Sequence, residues 1–134
     1  MDKALVLFAH GARAASWAEP FQRLRDLTAA QRPDCAVSLA FLELMTPSLP
    51  DEVGALVALG AREITVVPVF LGRGGHLLRD LPALLDQLRE SHPDVTFATV
   101  PAVGEDPDVL AAMAAYCARA ASAVPAYAAV EKRP

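Results

Sequence analysis

The chain has 134 residues, which suits one compact domain. Hydrophobic residues make up 54% and aromatic residues 6%, so Ala, Leu and Val must build the core. With 12 basic and 16 acidic residues the formal charge is -4, which removes the electrostatic ground for a nucleic-acid partner but leaves room for an acidic small molecule held by local arginines.

No apolar run nears the roughly 20 residues that cross a bilayer. The opening "MDKALVLFAHG" lacks the long apolar region and cleavage site of a secretory signal. Cys35 and Cys117 have no CxxC spacing and read as free thiols in or near the core. A cytoplasmic protein with no membrane partner is the expectation.

Lys3 to Ala9 (KALVLFA) is a nearly continuous apolar run, the pattern of a strand buried on both faces. Trp17, Phe21, Leu24 and Leu27 or Thr28 follow at helical spacing, with Ser16 and Glu19 placed for a capping box and Pro20 close to the helix start. Ala36 to Leu42 is a second strand. Ser48 caps the next helix, Pro50 sits in its first turn, Val53, Leu56 and Val57 form its buried face, and Gly60 ends it.

Glu63 to Leu71 (EITVVPVFL) is a third strand, although Pro68 cannot donate to a ladder. After the break Gly72-Arg73-Gly74-Gly75-His76, Asp80 and Pro82 introduce a helix carrying Leu81, Leu84, Leu85 and Leu88. Val95 to Val100 is a fourth strand. Asp106-Pro107 opens a last helix, with Val109, Leu110, Met113, Tyr116 and Cys117 on one face. Residues 1–122 then form one α/β domain, a four-stranded parallel sheet flanked by helices, and 123–134 form a loose tail.

Ligands of open α/β sheets bind beyond the carboxyl ends of the strands. The residues placed there are His10, Gly11 and Arg13 after the first strand and Glu43 after the second. Arg73, Gly74, Gly75, His76, Arg79 and Asp80 follow the third, and Gly104, Glu105 and Asp106 follow the fourth. His92, before Pro93, falls at the opposite edge and reads as a plain loop residue.

Each has a dull alternative. His10 alone reads equally well as a half-buried histidine satisfied by backbone. Glu43 lies inside an apolar run and must be paired, protonated, bound to a cation or turned to solvent. The arginines taken singly read as solvated surface, and the glycines as a turn.

No GxxxxGK[ST] or GxSxG is present, and "GRGGH" is not a dinucleotide fingerprint. "AHG" superficially resembles the "RHG" of histidine phosphatases, but Ala9 stands in place of the phosphate-binding arginine. Two imidazoles and a carboxylate suit a borderline divalent metal, and without thiolates they do not form a closed structural zinc site.

"FAHGAR", "FLELMTPSLPDEV" and "VVPVFLGRGGHLLRDLP" together resemble the class II chelatases of tetrapyrrole biosynthesis, the sirohydrochlorin cobaltochelatases and ferrochelatases, over roughly residues 1 to 120. Ala12 departs from the family's usual His-Gly-Ser-Arg. The resemblance implies a three-layer chelatase-like (flavodoxin-like) fold. It also implies a short form that works as a homodimer, and ATP-independent insertion of a divalent metal into sirohydrochlorin.

The resemblance carries the active-site histidines over to His10 and His76 and the acidic residue to Glu43, as metal-binding and catalytic groups. Arg13, Arg73 and Arg79 become candidates for the carboxylate rim of the substrate, with the amides of Gly74 and Gly75. The metal is a substrate rather than a permanently bound cofactor: Co2+ is favoured, with Fe2+ or Ni2+ as alternatives, for cobalamin or siroheme. A non-catalytic metal or tetrapyrrole carrier or sensor is the reading of another class.

Overall fold

The computed structural model describes residues 1–72 and 74–122, without the side chains of 75–78. Arg73 and the expected tail, 123–134, lie outside the described residues.

The strands are β1 (Lys3–Ala9), β2 (Cys35–Phe41), β3 (Glu63–Pro68) and β4 (Thr96–Thr99). They form one parallel sheet in the order β2-β1-β3-β4. Between them run α1 (Glu19–Gln31), α2 (Leu49–Ala58) and α3 (Gly75–Ser91), and α4 (Pro107–Ala120) follows β4. β1 is the most apolar run and lies between two neighbours, as a strand buried on both faces must.

Ala4, Val6 and Phe8 face one way and pack with Leu49, Val53 and Leu56 of α2 and Leu81, Leu85 and Leu88 of α3. Leu7 and Ala9 face the other way, with Leu39, Phe41, Ala18 and Phe21. Helices thus lie on both faces, α2 and α3 on one and α1 beside β1 and β2 on the other, the arrangement that right-handed crossovers produce in this strand order.

α2 begins and ends as its sequence requires. The Ser48 hydroxyl accepts from the amide of Asp51 at 3.3 Å. At the other end Gly60, with φ +105°, donates to Val57 while Ala61 donates to Leu56, the paired closure that needs a left-handed residue. Ser48→Ala should lower stability by about 1 kcal/mol, read from thermal melts. An unchanged melting temperature would show that the cap contributes nothing.

Several expectations need correction. α1 has no capping box: Ala18 is its N-cap, a 3-10 turn (Ala15–Ala18) precedes it, and Trp17 lies in that turn. Proline at the second helical position starts α1 without a side-chain cap, because its fixed φ is already helical. β3 stops at Pro68, not Leu71, although the next amide, Val69, still donates to Phe8 at 2.7 Å. α3 begins at Gly75 and contains Pro82 instead of starting near it. Cys35 is buried, but Cys117 is exposed.

The last correction concerns α4. Asp106 caps it as expected, accepting from Asp108 and Val109 at 3.1 Å. Among the described residues its apolar face finds no cover: α4 has no buried residue, and Leu110, Met113 and Tyr116 are exposed.

Candidate active site

All four strands run parallel, so their carboxyl ends share one edge. β1 and β2 pair in register from Lys3↔Cys35 to Ala9↔Phe41, and the amide of Leu42 donates to the carbonyl of Ala9 at 2.8 Å. The pairing thus runs to the last residue before His10, and the chain beyond β2 turns beside the chain beyond β1. Gly11 permits the approach: a Cβ there would collide with the carbonyl oxygen of Glu43 and press on Met45.

The result is a contact between His10 Nδ1 and Glu43 Oε1 at 3.0 Å. An ionised carboxylate can only accept, so Nδ1 carries the hydrogen. In the neutral ring Nε2 then holds a free lone pair, available to a metal or a proton. The side chains are 54% and 43% exposed, so the pair does little for stability. An imidazole oriented by a carboxylate at an open edge serves chemistry better than folding.

Two aromatic residues support His10, and sequence reasoning missed both in this role. Phe70 lies edge-on to the imidazole, ring centres 4.5 Å apart and planes at 84°. It is itself buried against Phe8. Trp17 donates its indole N–H to the carbonyl of His10 at 2.8 Å. Trp17 is the single tryptophan in the chain, seven residues after His10, and an indole carries one N–H donor that a nearby carbonyl can take. That was the available signal.

Of the other expected site residues, Arg13 and Arg79 are exposed at the same edge. Gly74 is the N-cap of α3, and Gly75 and His76 stand in its first turn, so the backbone brings His76 to the edge where His10 and Glu43 meet. The His76 side chain and Arg73 lie outside the described residues. Among the described residues no three His, Cys, Asp or Glu side chains gather as a metal site. His92 lies at the opposite edge, where its place in sequence put it, as the C-cap residue of α3 rather than a plain loop residue.

The sequence profile of the CbiX family matches residues 4–120. The chain belongs to the CbiX family. The sirohydrochlorin cobaltochelatase of Methanocaldococcus jannaschii is 34% identical over 90 residues, covering 67% of this chain and 63% of its own length. The crystal structure of a CbiX protein from Marinobacter aquaeolei VT8 superposes with TM-score 0.79 at 31% identity, covering 90% of this chain and 98% of that one.

The sirohydrochlorin chelatase SirB of Bacillus subtilis subspecies spizizenii, in complex with cobalt, gives TM-score 0.65 at 25% identity, covering 79% of this chain and 45% of that one. The chain thus spans less than two thirds of the length of the curated relatives it matches. It also spans less than half of SirB. As a CbiX member it has the four-stranded parallel α/β fold, and no described helix is long and apolar enough to cross a membrane.

Proposed function

We propose that this protein inserts a divalent metal, Co2+ in preference to Fe2+ or Ni2+, into sirohydrochlorin without ATP. The observation that carries the proposal is the His10–Glu43 pair at 3.0 Å on the carboxyl edge of the sheet, with Nε2 left available. The names of the CbiX relatives agree with it, and so does the cobalt complex of SirB.

Insertion exchanges two pyrrole protons for one metal ion. The metal must arrive partly desolvated, and each proton needs an acceptor. A neutral imidazole binds a borderline metal weakly and reversibly, and takes up a proton near neutral pH once the metal has left. His10 would serve at Nε2 while Glu43 holds Nδ1–H and steadies the imidazolium that forms. His76 would supply the second imidazole. Arg13, Arg73 and Arg79, with the amides of Gly74 and Gly75, would hold the carboxylate rim. Capture of the metal is weak in this scheme, since a tight site would retain the ion.

The test is direct. Protein, sirohydrochlorin and Co2+ should change the absorbance of the tetrapyrrole faster than the spontaneous reaction. Stoichiometric binding without turnover would replace this reading with that of a carrier.

We further infer a homodimer. Among the described residues α4 is a helix without a sheet face to cover, and the sheet has a stretch of face without a helix. On the α1 side of β3 and β4, Thr96 and Ala98 are exposed and Val67 is half-buried. Val67, Val100, Val103 and Val109 line an open groove there. A second copy placing its α4 in this groove, and receiving this one in return, would cover both, as a two-fold interface allows. Relatives of double length agree with the need for two such units. Light scattering should report a dimer, and Met113→Asp should give a monomer. A monomeric wild-type protein at active concentrations would remove this inference.

A further inference from the structure

Leu44 is the one non-glycine residue with positive φ among the described residues, at 66°. The amide of Met45 donates to the carbonyl of Glu43 at 2.8 Å, closing a three-residue turn with Leu44 at its apex. A γ-turn with positive φ is rare and strained, and a branched side chain suits it poorly. Gly11 sits against the same Glu43 carbonyl, and the Ala9–Leu42 hydrogen bond holds the base of the turn. Strain of this kind persists where surrounding structure enforces it, and it gathers at functional sites.

The side chain regains little from the described residues, because Leu44 is 61% exposed. Leu42 and Leu71 are exposed as well, at 42% and 69%. β2 and β3 flank β1, so Leu42 and Leu44 follow the strand on one side of His10 and Leu71 the strand on the other. Strand spacing puts these flanks about 10 Å apart, with the imidazole between them.

Resting on the chelatase reading above, we propose that Leu44, with Leu42 and Leu71, is the apolar seat for one face of the tetrapyrrole ring. The turn holds Leu44 out of the core so that the ring covers it on binding. A flat macrocycle whose centre must come to His10 necessarily lays its face over the flanks of His10. Its charged rim then reaches outward, where Arg13 and Arg79 are exposed. Burial of one leucine under the ring is worth about tenfold in affinity or more. Leu44 would thus set substrate binding without taking part in metal or proton transfer.

The experiment is equilibrium titration of metal-free sirohydrochlorin into the wild-type protein and into Leu44→Asn, Leu44→Met and Leu71→Ser. Absorbance or fluorescence reports binding, and light scattering and thermal melts run in parallel. Asparagine tolerates positive φ, so it keeps the turn while removing the apolar surface.

Leu44→Asn and Leu71→Ser should each weaken binding about tenfold. Leu44→Met should stay within about twofold, because volume and polarity are retained. Leu44→Asn should melt no lower than wild type, and should raise KM while kcat at saturation is kept. If the wild type binds and Leu44→Asn binds equally well, the seat is wrong and the chelatase reading stands. If Leu44→Asn lowers the oligomeric state, Leu44 is a subunit contact and the proposal is overturned. If the wild type does not bind sirohydrochlorin, the chelatase reading falls and the seat falls with it.

Discussion

Replacing His10 with alanine is expected to slow cobalt insertion into sirohydrochlorin by about 10^2- to 10^4-fold, the usual contribution of a positioned proton acceptor. The melting temperature should hardly change, since the imidazole is half exposed and its partner nearly so. Rate and stability are thus expected to separate, which a structural histidine would not allow. Glu43→Gln should be milder, about 10- to 100-fold, because the amide oxygen can still accept from Nδ1–H but cannot balance an imidazolium. Measured rates for His10→Ala within a factor of two of wild type would refute the proposed site.

Gly104→Ala is expected to be the most damaging small substitution for stability. Gly104 lies in the 3-10 turn Val103–Glu105, and its amide donates to the carbonyl of Phe70 at 2.9 Å. A Cβ there would collide with the backbone of Leu71, which cannot rotate away as a side chain could. The loop must shift and lose its hold on Phe70, the ring that backs His10. A loss of about 3 kcal/mol follows from overpacking of this kind, or a fall in Tm of roughly 10 °C. Gly54→Ala is the control of opposite sign. Gly54 is in α2 with nothing near its missing Cβ, so alanine should stabilise by about 1 kcal/mol. Equal melting temperatures for Gly104→Ala and wild type would show that the loop does not pack as described.

Local signals were legible where one residue type has one backbone solution. Ser48 and Asp106 cap the helices expected of them, and Gly60 takes the left-handed turn that ends α2. β1 was legible to the residue because a run buried on both faces has no polar interruption to blur it. The start of α3 was not, because Gly74, Gly75 and His76 read as a turn and Pro82 looked like a first-turn residue. The end of β3 was misread because Val69, Phe70 and Leu71 continue the apolar run. Only packing shows that Val69 still bonds to Phe8 while Phe70 turns inward beneath His10.

By itself the sequence determined the α/β class, the four strands and the edge on which His10, Glu43 and the first turn of α3 must collect. Hydrophobic period and turn residues are local properties, and parallel connectivity follows from their order. Tertiary structure alone decided which atoms meet. The 3.0 Å contact of His10 with Glu43 depends on the β1–β2 register and on a glycine thin enough to admit a carbonyl. The support from Phe70 and Trp17, the exposed Leu44 turn and the uncovered α4 likewise arise between segments distant in the chain. Periodicity carries no record of such contacts, because it reports which face a residue takes and not what lies against it.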